Sequence, residues 1–530
     1  MTSVVSDERA RQYVADGWWD GSTLVERVRE HARLQPEAIA VVDETTDSRT
    51  TYQQLWDDAC RVAGFLEDEG VRPGDVISVQ LPNWYETVAV DLGVLALGAV
   101  LNPLLPNYRS HELHHILGTA RSKLLFTPDE FRGFDHAALA TELVREVETL
   151  HGNVIVRGNG DFWQRVLGRE PTRFLPPTDP AALSEVIFTS GTEATPKGVM
   201  HTEHTTNCNV RSAFVVNDLG PHDVVWAPSP IGHSTGLNFG VRLALYFGLK
   251  LVLQDVWNAD RAVELIEQEH CSYTLAATTF LTDLIAAADH SGRDVSSLTR
   301  FGCGGAPVPP EVVRAGADAD INVLRIYGLT EALVVSWNRP TSSLDQRMHS
   351  DGLALPEVEL AIWDDADGPV PAGTQGEIVV RGPNVCVGLF DDAEREQRIF
   401  SADGWLRTGD VGVLDDDGYL AIVGRTKEII IRGGINIAPR EIEDLIMEMP
   451  AVRAVAVVGV PNERLGEIGC ACVVAEGTLE LDDVVTHLRS RELATYKLPE
   501  MLRLVTELPT TPSGKIRKNE LRTQILGESS

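Results

Sequence analysis

Basic residues are scarce in this sequence. Lysine and arginine number 46 against 78 aspartates and glutamates, which gives a formal net charge of −32. A surplus of that size disfavours binding to nucleic acids or to anionic membranes, whose phosphates attract basic surfaces. A polyanionic substrate would therefore have to be met by local positive groups.

Cysteine is also sparse and follows no pattern. The seven cysteines are scattered, with no Cys-x-x-Cys pair and no histidine spacing typical of a zinc site. We interpret them as reduced core residues of a cytoplasmic protein. Residues 1–21 are polar and acidic, so we expect no secretory signal.

Long uninterrupted hydrophobic runs are missing as well. The longest apolar stretch, 88–105, contains Asp91, Asn102 and Pro103, so it predicts a buried helix and a turn rather than a membrane span. Internal repeats and low-complexity segments are also lacking. With 530 residues, the chain is too long for one hydrophobic core and is expected to form two or more domains.

Short apolar runs alternate with amphipathic segments in the first third of the chain. Residues 24–28 have helical periodicity, and the runs 38–42, 76–81 and 124–126 predict buried strands. This alternation predicts an α/β fold in which sheets are covered by helices.

A loop of small residues, hydroxyls and one lysine follows the apolar run 186–188. The composition of residues 189–199 suits a polyphosphate, because small side chains let backbone N–H groups approach phosphate oxygens and Lys197 adds a positive charge. It is not a Walker A loop, since Pro196 precedes the lysine and Gly198 follows it. On its own such a loop is as often an ordinary turn, so its interpretation depends on partners downstream. The residues predicted to bind phosphate are Thr189, Ser190, Gly191, Thr192 and Lys197.

Further motifs follow along the chain. They are Tyr-Gly-Leu-Thr-Glu at 327–331, Gly-Trp-Leu-Arg-Thr-Gly-Asp at 404–410, a stretch at 420–434 that contains Gly-Arg-Thr-Lys, and Pro-Ser-Gly-Lys at 512–515. In this order, and with the phosphate loop, they resemble the AMP-forming adenylating enzymes, the superfamily of acyl-CoA synthetases, luciferases and peptide-synthetase adenylation domains. The resemblance covers about residues 20–520, and one departure is Glu193-Ala194, where relatives usually have Thr-Gly.

The resemblance implies ATP, Mg²⁺ and coenzyme A, and it assigns residues to the nucleotide. Lys515 would bridge the acid and the α-phosphate, Thr330 would donate to that phosphate, and Glu331 would bind Mg²⁺ through a hard oxygen. Asp410 and Arg425 would hold the ribose, where a carboxylate can accept two hydrogen bonds from a vicinal diol. The residues implied around the adenine are Gly304, Gly305, Ala306, Pro307, Tyr327 and Gly328.

His233 follows the strand-like run 224–227 and matches the mouth of the acyl pocket in related enzymes. An isolated loop histidine is more often satisfied by a neighbour, but its place in the motif order favours the pocket. The aspartate of amino-acid activators and the Asn-Tyr pair of aryl-acid activators are both missing from this region, which favours a plain carboxylic acid. The predicted pocket walls are Ile231, His233, Leu237, Phe280, Gly302, Gly304, Leu333 and Val334.

These walls are apolar, so we expect a hydrophobic acid. Four weaker markers are similar to ligases of the cyclohexanecarboxylate-CoA kind and favour an alicyclic or polycyclic acid, although an aliphatic acid stays open. The four segments are 17–21, 79–84, 102–106 and 131–136.

The resemblance also implies a mobile domain. Lys427 matches the hinge residue of relatives, and Gly433 and Gly434 would leave room for the pantetheine arm of CoA. We therefore expect an adenylation domain over 1–426 and a swivelling cap over 427–530 that carries Lys515. The expected fold is a large N-terminal domain of helix-flanked sheets with a small β-rich subdomain, followed by a small α+β domain. Its predicted elements are helices at 439–449 and 481–491 and a strand at 454–458.

Three other functions are open at this level. A free-standing acyl-AMP ligase would deliver its product to a carrier protein instead of CoA. A luciferase-like oxygenase shares the fold, and a non-catalytic nucleotide-binding relative is conceivable because of Glu193-Ala194. Retention of the implied catalytic and nucleotide residues argues against the last; they are Thr330, Glu331, Asp410, Arg425 and Lys515. The sequence fixes neither the acid nor the oligomeric state, and a homodimer stays open.

Overall fold

The computed structural model describes residues 4–173, 175–189, 196–306, 308–364, 366–425, 428–432, 435–462, 464–491, 493, 495–510 and 515–528. The chain divides into two compact units. One holds residues 1–359 and 380–406, and the other holds residues 360–379 and 407–530. The predicted domain boundary between 426 and 427 stays a prediction, because compactness does not locate the point about which a unit turns.

A nine-stranded sheet lies in the first unit. Its central strands pair in parallel, and antiparallel strands close both edges. From one edge to the other the strands are Leu353–Ala354, Leu333–Trp337, Asn322–Leu329, Arg300–Cys303, Tyr273–Ala276, Val224–Ala227, Lys250–Leu253, Ile39–Asp43 and Ser48–Thr51.

A seven-stranded sheet lies in the same unit. The predicted strand that precedes the phosphate loop is present as Leu183–Thr189, and it pairs antiparallel with the strand that begins at Lys197. The strands in order are Gly388–Leu389, Lys197–Thr202, Leu183–Thr189, Val100–Pro103, Val76–Val79, Leu124–Pro128 and Gly152–Val156.

Helices alternate with these strands along the chain, as the sequence predicts. Capping residues begin several of them: the Thr23 hydroxyl accepts a hydrogen bond from the Glu26 N–H at 3.2 Å, and the Glu26 carboxylate accepts one from the Thr23 N–H at 3.3 Å. The α-helices of the first unit are Asp7–Ala15, Leu24–Leu34, Tyr52–Asp68, Tyr85–Ala96, Ser110–Ala120, His136–Glu146, Glu203–Val216, Leu243–Phe247, Ala259–Glu269, Thr278–Ser291, Pro310–Asp318, Leu344–His349 and Ala393–Ile399, with π-helices at Trp163–Leu167 and Thr235–Arg242.

The apolar stretch 88–105 is only partly as predicted. The buried helix is present as Tyr85–Ala96, but the residues expected to form a turn are the buried strand Val100–Pro103. Asn102 is tolerated there because its amide donates to the Ser78 hydroxyl on the neighbouring strand at 2.8 Å. Among the helices of the described residues, none is long and apolar enough to cross a bilayer.

The second unit contains a small α+β arrangement. The predicted helices are confirmed as Pro439–Met447 and Leu481–Ser490, and the predicted strand is confirmed within Val452–Asn462. Its other elements are the strands Ile430–Arg432, Ile435–Ile437, Gly466–Ala475 and Met501–Leu504, the 3₁₀ turn Thr495–Lys497 and the helix Lys518–Glu528.

The predicted β-rich subdomain is present as a four-stranded sheet. The motif at 404–410 overlaps one of its strands, Leu406–Leu414. In order they are Glu359–Trp363, Gly376–Arg381, Leu406–Leu414 and Leu420–Arg425. The predicted fold class, with helix-flanked sheets, a β-rich subdomain and a smaller α+β part, is confirmed.

Candidate active site

Four predicted site segments follow neighbouring strands of the nine-stranded sheet. The strands Val224–Ala227, Tyr273–Ala276, Arg300–Cys303 and Asn322–Leu329 are adjacent and parallel. Carboxyl ends of parallel strands meet at one edge, which is where open α/β sheets bind ligands. The predicted residues that follow these ends are Ile231, His233, Leu237, Phe280, Gly304, Gly305, Ala306, Thr330 and Glu331.

The Tyr-Gly-Leu-Thr-Glu motif forms a tight turn at this edge. The strand Asn322–Leu329 folds back into Leu333–Trp337, and Leu333 has a φ of 53°, in the left-handed region. A side chain at Gly328 would clash with the carbonyl oxygen of Leu333, so only glycine fits there. Tyr327 is buried just before this turn. The turn therefore presents Thr330 and Glu331 together.

His201 holds the turn from the seven-stranded sheet. Its Nε2 lies 2.7 Å from the carbonyl oxygen of Thr330. Burial lowers the pKa of His201, which keeps the ring neutral, and Nε2 must carry the proton because a carbonyl oxygen only accepts. Our sequence analysis missed this residue. The signal was available, since period-two alternation places His201 on the same strand face as Lys197.

Lys197 and Glu331 form an ion pair, and both side chains are largely buried, with exposed fractions of 20% and 9%. Thr189 pairs with Lys197 across the two strands. Its Oγ1 is buried without a hydrogen-bond partner among the described residues. A cation and an unpartnered hydroxyl thus flank the phosphate loop. Ser190, Gly191 and Thr192, predicted in that loop, lie outside the described residues.

The surroundings of Glu331 fit a magnesium ion that is shared with phosphates. Mg²⁺ is usually held by one or two carboxylates together with substrate oxygens rather than by a complete protein cage. Glu331 supplies one such carboxylate beside Lys197. The described residues contain no group of three or more candidate metal ligands.

Internal packing requires glycine at two positions of this strand end, Gly302, which is predicted in the acyl pocket, and Gly304, which is predicted at the adenine. An added Cβ at Gly302 would lie 2.7 Å from Leu275 Cδ1 and 2.8 Å from Trp337 Cζ2. At Gly304 it would lie 2.6 Å from Ile326 Cγ1. At Gly305, whose φ is 80°, no atom of the described residues would lie within 4 Å. The open backbone is therefore at Gly305. Pro307 lies outside the described residues.

The predicted acyl-pocket walls are mostly buried apolar side chains. Phe280 is partly buried against Trp257, with ring centroids 4.6 Å apart. His233 is partly buried, and its Nδ1 accepts a hydrogen bond from the Thr235 N–H at 3.2 Å. The buried walls are Ile231, Leu237, Gly302, Leu333 and Val334.

Asn209 fixes one of these walls and was also missed. Its amide accepts from the Val334 N–H at 3.1 Å and donates to the Val334 carbonyl oxygen at 2.8 Å. The same Nδ2 lies 3.0 Å from the Glu357 carboxylate. Burial raises the pKa of Glu357 to about 7. The sequence gave no signal for Asn209, because it lies within an ordinary helical stretch.

The second unit contains the remaining predicted residues. Asp410 and Arg425 are cross-strand partners, and Arg425 Nε lies 3.0 Å from Asp410 Oδ1. Lys515 is exposed and precedes Ile516, which forms a β-bridge with Thr510. Lys427, Gly433 and Gly434 lie outside the described residues.

Comparison with known proteins identifies the family. A sequence model described as "AMP-binding enzyme" matches residues 28–390, and one described as "AMP-binding enzyme C-terminal domain" matches residues 441–515. The chain belongs to the AMP-binding enzyme family. The predicted class, an AMP-forming acid–thiol ligase that uses ATP, Mg²⁺ and CoA, is confirmed.

Relatives within the AMP-binding enzymes match over nearly the whole chain. The medium-chain fatty-acid–CoA ligase of Escherichia coli is 36% identical, with 99% of this chain and 94% of that protein covered. The 3-[(3aS,4S,7aS)-7a-methyl-1,5-dioxo-octahydro-1H-inden-4-yl]propanoyl:CoA ligase of Rhodococcus jostii is 35% identical, with 95% and 99% covered. The crystal structure of ATP-bound MatB from Rhodopseudomonas palustris is 27% identical with a TM-score of 0.85, with 96% of this chain and all of that chain covered.

Proposed function

We propose that this ligase activates a hydrophobic, alicyclic or polycyclic carboxylic acid. The carrying observation is the pocket wall, where Ile231, Leu237, Leu333 and Val334 are buried apolar residues. His233 is the only titratable side chain among the predicted wall residues. The Rhodococcus relative, whose acid contains a fused bicyclic ring, supports the proposal. The similarly related Escherichia coli ligase acts on a fatty acid and makes an open-chain acid the main competitor.

In the first half-reaction, a carboxylate oxygen of the acid attacks the α-phosphorus of ATP, and pyrophosphate leaves with the electrons of the broken P–O bond. Because an anion approaches a polyanion, catalysis depends mainly on positioning and charge neutralisation. Lys515 bridges the acid and the α-phosphate, and Thr330 donates to that phosphate. Lys197 and the 189–192 residues hold the departing pyrophosphate. Glu331 holds Mg²⁺, which when bound offsets phosphate charge.

The remaining predicted residues are assigned to the nucleoside in this proposal. Gly304, Gly305, Ala306 and Tyr327 border the adenine. Asp410 and Arg425 contact the ribose, so their 3.0 Å ion pair would open to include the hydroxyls. Gly328, which allows the tight turn after Tyr327, is assigned to the adenine as well.

In the second half-reaction, the CoA sulfur attacks the acyl carbonyl and AMP leaves, while the thiol proton passes to solvent. The sulfur needs the space that Lys515 occupied. The cap, 427–530, therefore turns about Lys427, withdraws Lys515 and presents Gly433 and Gly434 to the pantetheine arm. A cytoplasmic location, where ATP and CoA are available and thiols stay reduced, completes the proposal.

The substrate class is tested by acid-dependent exchange of labelled pyrophosphate into ATP. Acids of equal carbon number with no ring, one ring and two rings are compared. We expect kcat/KM for ring-containing acids to exceed that of the open-chain acid by about tenfold or more, the range that differential filling of an apolar pocket supplies. A preference for the open-chain acid contradicts the proposal. CoA and a phosphopantetheinylated carrier protein are then compared as acceptors, and transfer only to the carrier would replace the CoA assignment.

Lys515→Ala tests the assigned lysine. We expect its exchange rate to fall by roughly 10²–10³-fold, by analogy with the loss of one oxyanion donor. Arg517→Ala is the matched control, because Arg517 is an exposed cation two residues away whose guanidinium lies 3.4 Å from Glu520. Equal losses in the two variants would show that general positive charge on the tail, and not Lys515, supports adenylation.

A further inference from the structure

Lys518 is a largely buried lysine close to the exposed Lys515. Its Nζ lies 2.7 Å from Glu443 Oε1 and 3.2 Å from Glu428 Oε2, and only 14% of its side chain is exposed. Burial lowers the pKa of Lys518, but the two carboxylates outweigh burial and hold the pKa above its usual value. Lys518 is therefore a charged group enclosed by two opposite charges.

The position of Lys518 is unfavourable for the helix that it begins. Lys518 is the first residue of the helix Lys518–Glu528, where the helix dipole disfavours a cation. The helix is attached to the sheet by other contacts, since Leu521 and Ile525 are buried in the apolar cluster with Val458. The carboxylates of Glu428 and Glu443, and not helix stability, account for a lysine at this place.

The two carboxylates belong to different parts of the second unit. Glu443 lies on the helix Pro439–Met447, and its Oε1 accepts a hydrogen bond from the Val457 N–H at 2.6 Å, which fixes it to the central strand pair. Glu428 is the first described residue after the predicted hinge residue Lys427. The Lys518 bridge thus joins three segments of the second unit: the helix Pro439–Met447, the backbone segment that begins at Glu428 and the start of the last helix.

The loop that carries Lys515 is closed directly beside Lys518. The Arg517 N–H donates to the Pro509 carbonyl oxygen at 2.7 Å, and Thr510 and Ile516 form a β-bridge. Lys515 is adjacent to that bridge, and Lys518 follows Arg517. The base of the loop is therefore fixed at the residue that contacts Glu428 and Glu443.

We propose that Lys518 is a positioning residue for adenylation, because its buried bridge to Glu428 and Glu443 ties the Lys515 loop to the chain beside the hinge. When the cap rotates, Lys515 then moves together with the segment that begins at Glu428. The inference rests on the proposed function. Thioester formation, which occurs after Lys515 has withdrawn, does not need the bridge.

The test uses full-length Lys518→Met, Lys518→Arg and the control Arg453→Met. Arg453 forms an exposed ion pair with Glu476 in the same unit, with 66% and 64% of the side chains exposed. Lys518→Met should lower kcat of pyrophosphate exchange roughly 10- to 100-fold, as expected for a small displacement of a catalytic group. Lys518→Met should retain transfer of the acyl group from supplied acyl-AMP to CoA. Lys518→Arg should keep much of the wild-type rate of pyrophosphate exchange. Arg453→Met should match the wild type in both reactions.

Hydrogen exchange of the amides at 515–528 gives a readout that does not depend on activity. Faster exchange there in Lys518→Met, and not in Arg453→Met, is expected; unchanged exchange overturns the inference. Equal loss of both half-reactions, or loss of neither, also overturns it. If Lys518→Met does not fold, Glu428→Gln, which keeps Glu443, carries the same test. A wild-type protein without acid-dependent exchange would refute the proposed function, while the amide measurement still decides on the bridge.

Discussion

Replacement of Arg242 by methionine should destabilise the first unit strongly. Arg242 is 1% exposed and ends the π-helix Thr235–Arg242. Its guanidinium contacts the carboxylates of Glu185 and Glu203, which are almost completely buried. It also lies 3.0 Å from the side-chain oxygens of Asn207 and Asn238. Methionine fills a similar volume but leaves two carboxylates without their cation.

The expected loss follows from this burial. Removing one partner of a buried ion pair costs about 3–5 kcal/mol, because the remaining charge is uncompensated. Domains are stable by about 5–15 kcal/mol, so the loss is a large share of the total. Arg121→Met is the control: Arg121 lies 2.6 Å from Asp391, with 68% and 48% of the side chains exposed, and such pairs contribute about 0–1 kcal/mol.

Urea unfolding followed by tryptophan fluorescence measures the difference. Trp226 and Trp337 are fully buried in the nine-stranded sheet and report on the first unit. Arg242→Met should shift the unfolding midpoint far more than Arg121→Met. Equal shifts would contradict the argument, since they would mean that the buried carboxylates do not depend on Arg242.

Two further predictions concern single residues of the first unit. Burial, with a smaller contribution from Glu185, raises the pKa of Asp91 well above 3.8, and both carboxylate oxygens lack partners among the described residues. The folded protein therefore keeps a proton that the unfolded chain releases, and stability falls as pH rises above the usual carboxyl range, up to the raised pKa. The free energy of unfolding of Asp91→Asn relative to wild type should then increase between pH 5 and pH 8, as two denaturation curves would measure, and a constant difference contradicts the assignment. Gly328→Ala would force Leu333 away, so it should lower the free energy of unfolding by about 1–3 kcal/mol and remove most of the pyrophosphate-exchange activity. The control is Gly118→Ala, which lies in a helix with open space at its Cβ and should raise the free energy of unfolding by roughly 0.5–1 kcal/mol. Unfolding midpoints that move in the same direction in both variants would refute the clash at Gly328.

Buried parallel strands were the most predictable part of the fold. The run 224–227 is continuously apolar and forms the strand Val224–Ala227. The strand Val100–Pro103 was missed because Asn102 and Pro103 are typical of turns. The Nδ2 of Asn102 donates to the Ser78 hydroxyl, a partner that only the pairing of two strands reveals. The order of strands in each sheet depends on such long-range contacts.

The roles of the candidate site residues stay predictions. The structure adds the position of the motif at 327–331, which forms the turn between two antiparallel strands of the nine-stranded sheet. The strand face of His201 could be read from period-two alternation, but its partner Thr330 could not, because it lies far away in sequence. The same holds for Lys518 and its partner Glu443. On composition, Lys515 and Lys518 belong to the same basic tail, yet one is exposed and the other is buried between carboxylates.

The ion pair between Lys197 and Glu331 leaves the proposed phosphate site almost electrically balanced. A bare anion that captures Lys197 strands a carboxylate of which only 9% is exposed to water. A nucleotide that arrives with its own divalent cation compensates both side chains at once. At the proposed site the pair would therefore discriminate by total charge, because ligands that are neutralised in advance would enter at the smallest electrostatic penalty.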